Sequence, residues 1–209
     1  MKTSDSRAAL STLYNIARHQ QGYFTTKQAV EAGFGRNHHS YHVQAGNWIR
    51  EMRGIYRLPH FAQDEEDAQL VLWYLWSRDR MEVPQGVYSF ETALRIYELT
   101  DLMPAKIHMT VPPSFRRFNE IPKILVLHKD VLPKSDIRLM RGFAVNTPAR
   151  TLIDLVTSDR LDPTTLRQVT NEAISKGMLP PKEVVRVEKA IEKTMRGTRS
   201  KRTKRHYSE

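Results

Sequence analysis

Four polar residues between positions 36 and 45 recur at helical spacing. Asn37, Ser40, Tyr41 and Gln44 fall at i, i+3, i+4 and i+7, while His39, His42, Val43 and Gly46 share the opposite face and His38 stands at the helix start. Asn and Gln side chains can each make paired hydrogen bonds to adenine, and a serine hydroxyl can donate or accept. Arg36 precedes this run and could reach a guanine or a phosphate. Arg50, Arg53 and Arg57 follow it in a short β-prone stretch, placed for phosphates or the minor groove. With Thr26 and Lys27 at the start of the preceding helix, these side chains form a set whose shared chemistry is contact with duplex DNA. His38 is read as a phosphate contact and His39 as half-buried.

Other chemistry fits poorly. His38 and His42 are spaced i, i+4 as in a zinc-binding H-E-x-x-H helix, but His39 stands where the catalytic Glu would be, and no nearby carboxylate or thiolate completes a site. No metal and no cofactor is expected. The chain has no G-x-S-x-G and no glycine-rich phosphate loop. Arg150 and Asp154, at i and i+4, read as a helix-surface ion pair. An enzyme is therefore not expected.

The elements that must position the DNA-facing set can be traced from the same stretch. A first helix starts near Ser6 and carries Leu10, Leu13, Tyr14 and Ala17 on one stripe. Tyr23-Phe24 is extended. Thr25-Thr26-Lys27-Gln28 has the form of a capping box opening a second helix, which ends at Gly33. Asn37 is the expected N-cap of the third helix and Gly46 its terminator. Trp48-Ile49 and Gly54–Leu58 form a hairpin closed by Pro59. Two short helices, a hinge and a ribbon outline a winged helix-turn-helix, which lays one helix in the major groove.

Beyond residue 60 the pattern is mixed. Asp64–Asp67 opens a helix reaching Arg78, with Trp73 and Trp76 read as core. Strands are expected at 86–90, 106–111, 121–128, 137–140 and 143–145, and a helix at 91–99. Thr147-Pro148, Asp162-Pro163 and Pro180-Pro181 each start a helix. This predicts an α+β class with three parts: a winged helix-turn-helix at 1–60, a larger α+β domain at 61–195, and a basic tail at 196–209. The tail, with no apolar side chain through His206, is expected to lack fixed structure.

Charge follows the same division. The net charge is +10; residues 1–60 and 196–209 each contribute +5, and the middle, with nineteen basic and nineteen acidic groups, is neutral. A polyanion would be held at the two ends, with Arg199, Lys201, Arg202, Lys204 and Arg205 as phosphate contacts of the tail, the alternative being a solubilising end with no specific role. The chain has no cysteine, which excludes disulfides and thiolate sites. Its start lacks a signal-peptide core, and its longest apolar run, Leu70–Trp76, is seven residues. The expected location is the cytoplasm, away from any membrane.

Several motifs together resemble one family. They are T-x-x-Q-A-x-x-A-G ending at Gly33, S-Y-H-V-x-x-G at Ser40–Gly46 and R-G-I-Y-R-L at Arg53–Leu58. Further along come G-V-Y-S-F-E-T-A-L at Gly86–Leu94, I-H-M-T-V-P at Ile107–Pro112 and T-P-A-R-T-L-I-D-L at Thr147–Leu155. In order and spacing, over roughly 6–160, this is similar to the AbiEi antitoxins of type IV toxin–antitoxin systems. The resemblance implies an N-terminal winged helix and a C-terminal antitoxin domain. It also implies repression of the protein's own operon through upstream repeats and opposition to a nucleotidyltransferase-type toxin without a stable complex. His39 departs from the aliphatic residue common in relatives, and the tail lies outside the pattern. The competing readings are a stand-alone winged-helix regulator, a DNA-processing enzyme and an RNA-binding module that uses the tail.

Overall fold

The computed structural model describes residues 3–61, 64–101, 104–117 and 120–205. The architecture is mixed α+β, and the chain divides into two compact units. One comprises residues 1–86 with 139–144, the other 87–138 with 145–209. The helix that follows the first ribbon thus groups with the N-terminal unit, whereas the sequence pattern placed a boundary after residue 60.

The first unit begins with α1 (Thr3–Arg18), β1 (Tyr23–Thr25) and α2 (Thr26–Glu31). Helix α1 starts three residues earlier than the sequence suggested. Its buried stripe is Ala9, Leu13 and Ala17, while Leu10 and Tyr14, assigned to that stripe from spacing, are about half exposed at 53% and 54%. Both stripes satisfy helical periodicity, and the packing partner decides between them. The capping box at α2 is formed as expected. Thr25 Oγ1 accepts from Gln28 N at 3.3 Å, and Gln28 Oε1 accepts from Thr25 N at 2.8 Å. Such a cap stabilises a six-residue helix by about 1 kcal/mol, a large share for an element too short to stand alone.

After Gly35 the chain makes a single 3-10 turn, Arg36–His38, and then enters α3 (His39–Gln44). Asn37, expected to cap α3, lies inside that turn, and no side chain caps α3. The turn closes on backbone alone, His38 N donating to Gly35 O at 2.9 Å. Strands β2 (Ile49–Met52) and β3 (Ile55–Arg57) follow, and the antiparallel sheet has the order β1-β3-β2. Its register shifts between Arg50 and Met52, a bulge that increases local twist.

The core of this region is aromatic. Phe24, Trp48 and Tyr56 join Leu13, Ala17, Ala29, Ala32 and Leu58, with Phe34, Val43 and Phe61 packed at the margin. Helix α4 (Glu65–Trp76) packs on β1 and β3 and is capped by Asp64, whose Oδ1 accepts from Asp67 N at 2.9 Å. Trp76 is buried and Trp73 half-buried.

The second unit holds most of a five-stranded sheet ordered β6-β5-β4-β8-β7. These strands are β4 (Val87–Tyr88), β5 (Ile107–Val111), β6 (Leu125–Lys129), β7 (Ile137–Met140) and β8 (Phe143–Asn146). Strand β4 runs antiparallel to β5 and parallel to β8, and β5 runs parallel to β6. Helices α5 (Phe90–Ile96), α6 (Pro148–Thr157), α7 (Pro163–Ser175) and α8 (Pro181–Arg205) complete it. Thr147 and Asp162 cap α6 and α7 as their Pro-led starts suggested. Helix α8 is helical through Arg205, across the stretch expected to lack fixed structure. The side chains of Arg199, Lys201, Arg202, Lys204 and Arg205 lie outside the described residues.

Candidate nucleic-acid interface

Helix α3 is oriented by its inner face. His39 is buried rather than half-buried, 4% exposed, with its ring 5.1 Å from Trp48 and 5.8 Å from Tyr56. Its Nε2 lies 3.2 Å from Phe34 O, so the ring both fills the core and satisfies the end of the preceding turn. His42 stacks on Trp48 at 4.6 Å, and Val43 packs at the core margin. Burial holds the His42 imidazole below its ordinary pKa, with smaller contributions from His39 and His38. The His39 imidazole thus serves as a core side chain on the inner face of α3, against Trp48 and Tyr56.

That packing turns the other face outward. Arg36, Asn37, His38, Ser40, Tyr41 and Gln44 are all exposed, Tyr41 to 63%. Asn37 folds back over Gly35, where an added Cβ would sit 2.8 Å from Asn37 Oδ1. No carboxylate occurs between Arg36 and Arg50.

The ribbon divides its three arginines. Arg50 and Arg53 are exposed, and neither is ion-paired among the described residues. Arg57 is held by Glu51, its Nε donating to Oε1 at 2.7 Å, with both side chains about three-quarters buried. The one acid of the ribbon is thus spent on a structural pair, which removes Arg57 as a freely extended cation. Lys27 is exposed and donates to Met81 O at 3.2 Å, with Glu31 3.9 Å away. Thr26 is half-buried and its N–H donates to Gly54 O at 3.0 Å, tying the start of α2 to the ribbon turn.

One contributor escaped the sequence reading. Arg78, just past α4, is buried at 7% exposure and donates from Nη2 to Arg53 O at 2.8 Å. Nothing in its local sequence marks it, because its partner lies 25 residues earlier in the chain. Gly54 beside it has φ +74°, and a Cβ there would lie 2.7 Å from Arg78 Nη2. Only glycine satisfies both constraints.

In the second unit charge is arranged differently. Asp136 accepts from Arg186 Nη1 and Nη2, both at 2.8 Å, and lies 3.6 Å from Arg150 Nη1. Arg150 Nε donates to Asp154 Oδ1 at 2.7 Å, and its Nη2 pairs with Asp130. Asn146 Nδ2 donates to Asp154 Oδ2 at 3.0 Å. Arg150 and Asp154, expected as a surface pair, therefore sit in a network that runs from buried Asp136 and Asp154 out to exposed Asp130 and Arg186. The Arg186 hydrogen bonds hold the Asp136 carboxyl below the usual carboxylate range. Burial raises Asp154 despite the pull of Arg150. A carboxylate tied up by two guanidinium groups is poorly placed to bind a substrate, and among the described residues no cluster of three or more His, Asp or Glu could hold a metal ion.

Three helices and a small antiparallel sheet thus carry an exposed face on the third helix that is free of carboxylates. Residues 11–59 match the family described as "Transcriptional regulator, AbiEi antitoxin". The motifs noted beyond residue 59 lie outside that matched segment. No curated protein matches the chain. Among solved structures, a protein from Mycobacterium tuberculosis described as the RV2827C protein is similar at a TM-score of 0.47 and 13% identity. The match covers 89% of this chain and 77% of that one. Among the described residues, no helix is long and apolar enough to cross a membrane.

Proposed function

We propose that residues 1–60 form a winged helix-turn-helix that binds duplex DNA, with α3 in the major groove and the β2–β3 ribbon as the wing. The observation that carries this reading is the outward face of α3. Ser40, Tyr41 and Gln44 are exposed together without a carboxylate, between exposed Arg36 and exposed Arg50 and Arg53. Such a surface suits base edges at its centre and phosphates at its rim. Thr26, Lys27, Asn37 and His38 extend the rim, and Arg57 supports the wing through Glu51.

On this reading, supported by the family matched over 11–59, the protein is an antitoxin that represses its own operon and opposes a nucleotidyltransferase-type toxin. The family's description names regulation and antitoxin function and no catalytic activity. The deciding experiment is footprinting on the protein's own upstream region at two salt concentrations. A protected repeat that disappears when Tyr41 and Gln44 are replaced by alanine is the expected result. Footprints unchanged in Asn37→Ala, Tyr41→Ala and Gln44→Ala would remove α3 as the reading helix. The antitoxin role predicts a nucleotidyltransferase-type toxin gene beside this one and restored growth when the two are co-expressed; a neighbour of another kind, or growth that stays arrested, removes that role.

A further inference from the structure

Arg78 lies outside the segment matched to the family, yet its side chain ends in the ribbon turn. The guanidinium joins three segments of the chain. Nη1 donates to Leu75 O at 2.9 Å, closing the end of α4; Nε donates to Glu82 Oε2 at 2.8 Å; Nη2 donates to Arg53 O at 2.8 Å. The planar fork of arginine suits such a three-way junction, and a lysine ammonium does not reproduce it.

The loop that supplies Glu82 is itself ordered by polar contacts. Asp79 Oδ1 accepts from Met81 N at 2.8 Å and Val83 N at 3.0 Å. Ser77 Oγ accepts from Gln85 N at 3.2 Å and Gly86 N at 2.9 Å. Lys27 Nζ reaches the same loop at Met81 O, 3.2 Å away. The ribbon turn is therefore gripped at two adjacent carbonyls: Gly54 O by the backbone of Thr26, and Arg53 O by Arg78. Strand β3 is anchored by β1, whereas β2 and the turn lie at the sheet edge, where ordering is weakest. Here the turn is clamped while the Arg53 side chain stays exposed.

We infer that Arg78 is a positioning residue for DNA binding: it holds the wing turn so that Arg50 and Arg53 meet the phosphate backbone without first having to be ordered. The inference rests on the DNA-binding reading above. It makes the C-terminal end of α4 and the 79–85 loop part of the binding apparatus. Freeing the turn restores an ordering cost worth roughly three- to tenfold in affinity.

The test uses the full chain with Arg78→Met, which keeps the aliphatic stem and removes every donor, alongside Glu82→Gln, which weakens the grip from the loop side. Duplex affinity is measured against operator and scrambled DNA at two salt concentrations, with and without Arg53→Ala. Hydrogen exchange is followed across residues 49–57. Arg78→Met is expected to weaken both duplexes about equally, by roughly three- to tenfold, and to leave the preference for operator intact. Arg53→Ala should then cost little further, and exchange at the ribbon turn should accelerate. Glu82→Gln should move each readout the same way by less, and carries the test if Arg78→Met fails to fold. Wild-type affinity together with wild-type ribbon protection in a folded variant overturns the inference. Loss of operator preference also overturns it, because general unfolding or a displaced α3 would then be the cause. If wild-type protein binds no duplex, or Arg53→Ala is silent in the wild-type background, the DNA reading of the wing fails instead. Ribbon exchange then still decides whether Arg78 orders the turn.

Discussion

Two sets of arginines, one in each unit, are used in opposite ways. In the first, Arg36, Arg50 and Arg53 extend from a helix start and a ribbon into solvent, and the nearby acid, Glu51, is committed to Arg57. In the second, Arg150 and Arg186 are paired with Asp130, Asp136 and Asp154. The first arrangement leaves cations able to exchange water and counterions for phosphates; the second has already exchanged them for carboxylates. Net charge along the chain hints at this contrast, but pairing creates it. A charged residue is a candidate for recognition only where the fold leaves it without a carboxylate.

The comparison is broken most forcefully at Asp136. Asp136→Ala removes the buried carboxylate shared by Arg150 and the exposed Arg186, and should destabilise the second unit by about 2 kcal/mol, read by thermal or denaturant unfolding. Duplex affinity, measured well below the melting transition, should stay at the wild-type level; a parallel loss of DNA binding would show that the contrast between units is not functional. The same carboxylate sets an acid limit. Its folded pKa lies below the unfolded value near 3.8, so its stabilising contribution is complete above that value and is lost as pH falls toward the folded pKa. Asp136→Asn should accordingly flatten the stability profile below about pH 4.

Next in size are the outward residues of α3. Gln44→Ala should cost about 1–3 kcal/mol of binding to the preferred site and little on scrambled duplex, since a base contact carries sequence information. Competitive binding with the two duplexes separates these outcomes. An equal loss on both would reassign Gln44 to the phosphate backbone.

Smaller still are the ribbon arginines. Arg50→Ala and Arg53→Ala should weaken binding to all sequences alike and lower the slope of log affinity against log salt by about 1 each. Arg57→Ala sharpens the point. Because Glu51 holds Arg57, its removal should act mainly on ribbon stability, with a smaller change in salt slope than either neighbour. A full-sized slope change would mean that the ion pair opens on DNA.

A separate effect, confined to acid pH, is expected in the second unit. His108 Nδ1 lies 2.9 Å from His128 Nε2, and burial, reinforced by His108 and Arg160, lowers the His128 pKa from 6.5 to about 4. The folded state thus favours neutral His128. Its contribution is complete above the unfolded pKa of 6.5 and is lost as pH falls toward about 4. NMR titration should show an imidazole that stays neutral through pH 5, and a His128→Asn variant should lose stability less steeply between these limits. Titration near 6.5 would show that the pair is open to solvent.

Legibility from sequence varied with the range of the interaction. The capping box at Thr25–Gln28 and the Pro-led starts at Pro148 and Pro163 were readable because each is settled within four residues. The division of α3 into a His39, His42, Val43 face and a Ser40, Tyr41, Gln44 face was readable because helical geometry ties face to spacing. In α1 the same rule allowed two stripes, and contact with α2 and β1 chose Ala9, Leu13 and Ala17 over Leu10 and Tyr14. The N-cap of α3 was placed one residue early, at Asn37 instead of His38, because a 3-10 turn closed by backbone hydrogen bonds needs no capping side chain. Arg150 and Asp154 looked like a surface pair because their spacing carries no information on what covers them.

By itself, then, the sequence determined the α+β class, the local starts of helices and the chemistry available at the outward face of α3, all set by short-range backbone preference and by residue type. Tertiary structure alone decided which cations remain free. Glu51 captures Arg57, Asp136 captures Arg186, and Arg78 reaches back to the carbonyl of Arg53. Each of these depends on two groups that meet only once the chain has packed, since hydrogen bonds and ion pairs act over a few ångströms of space and are blind to separation along the chain.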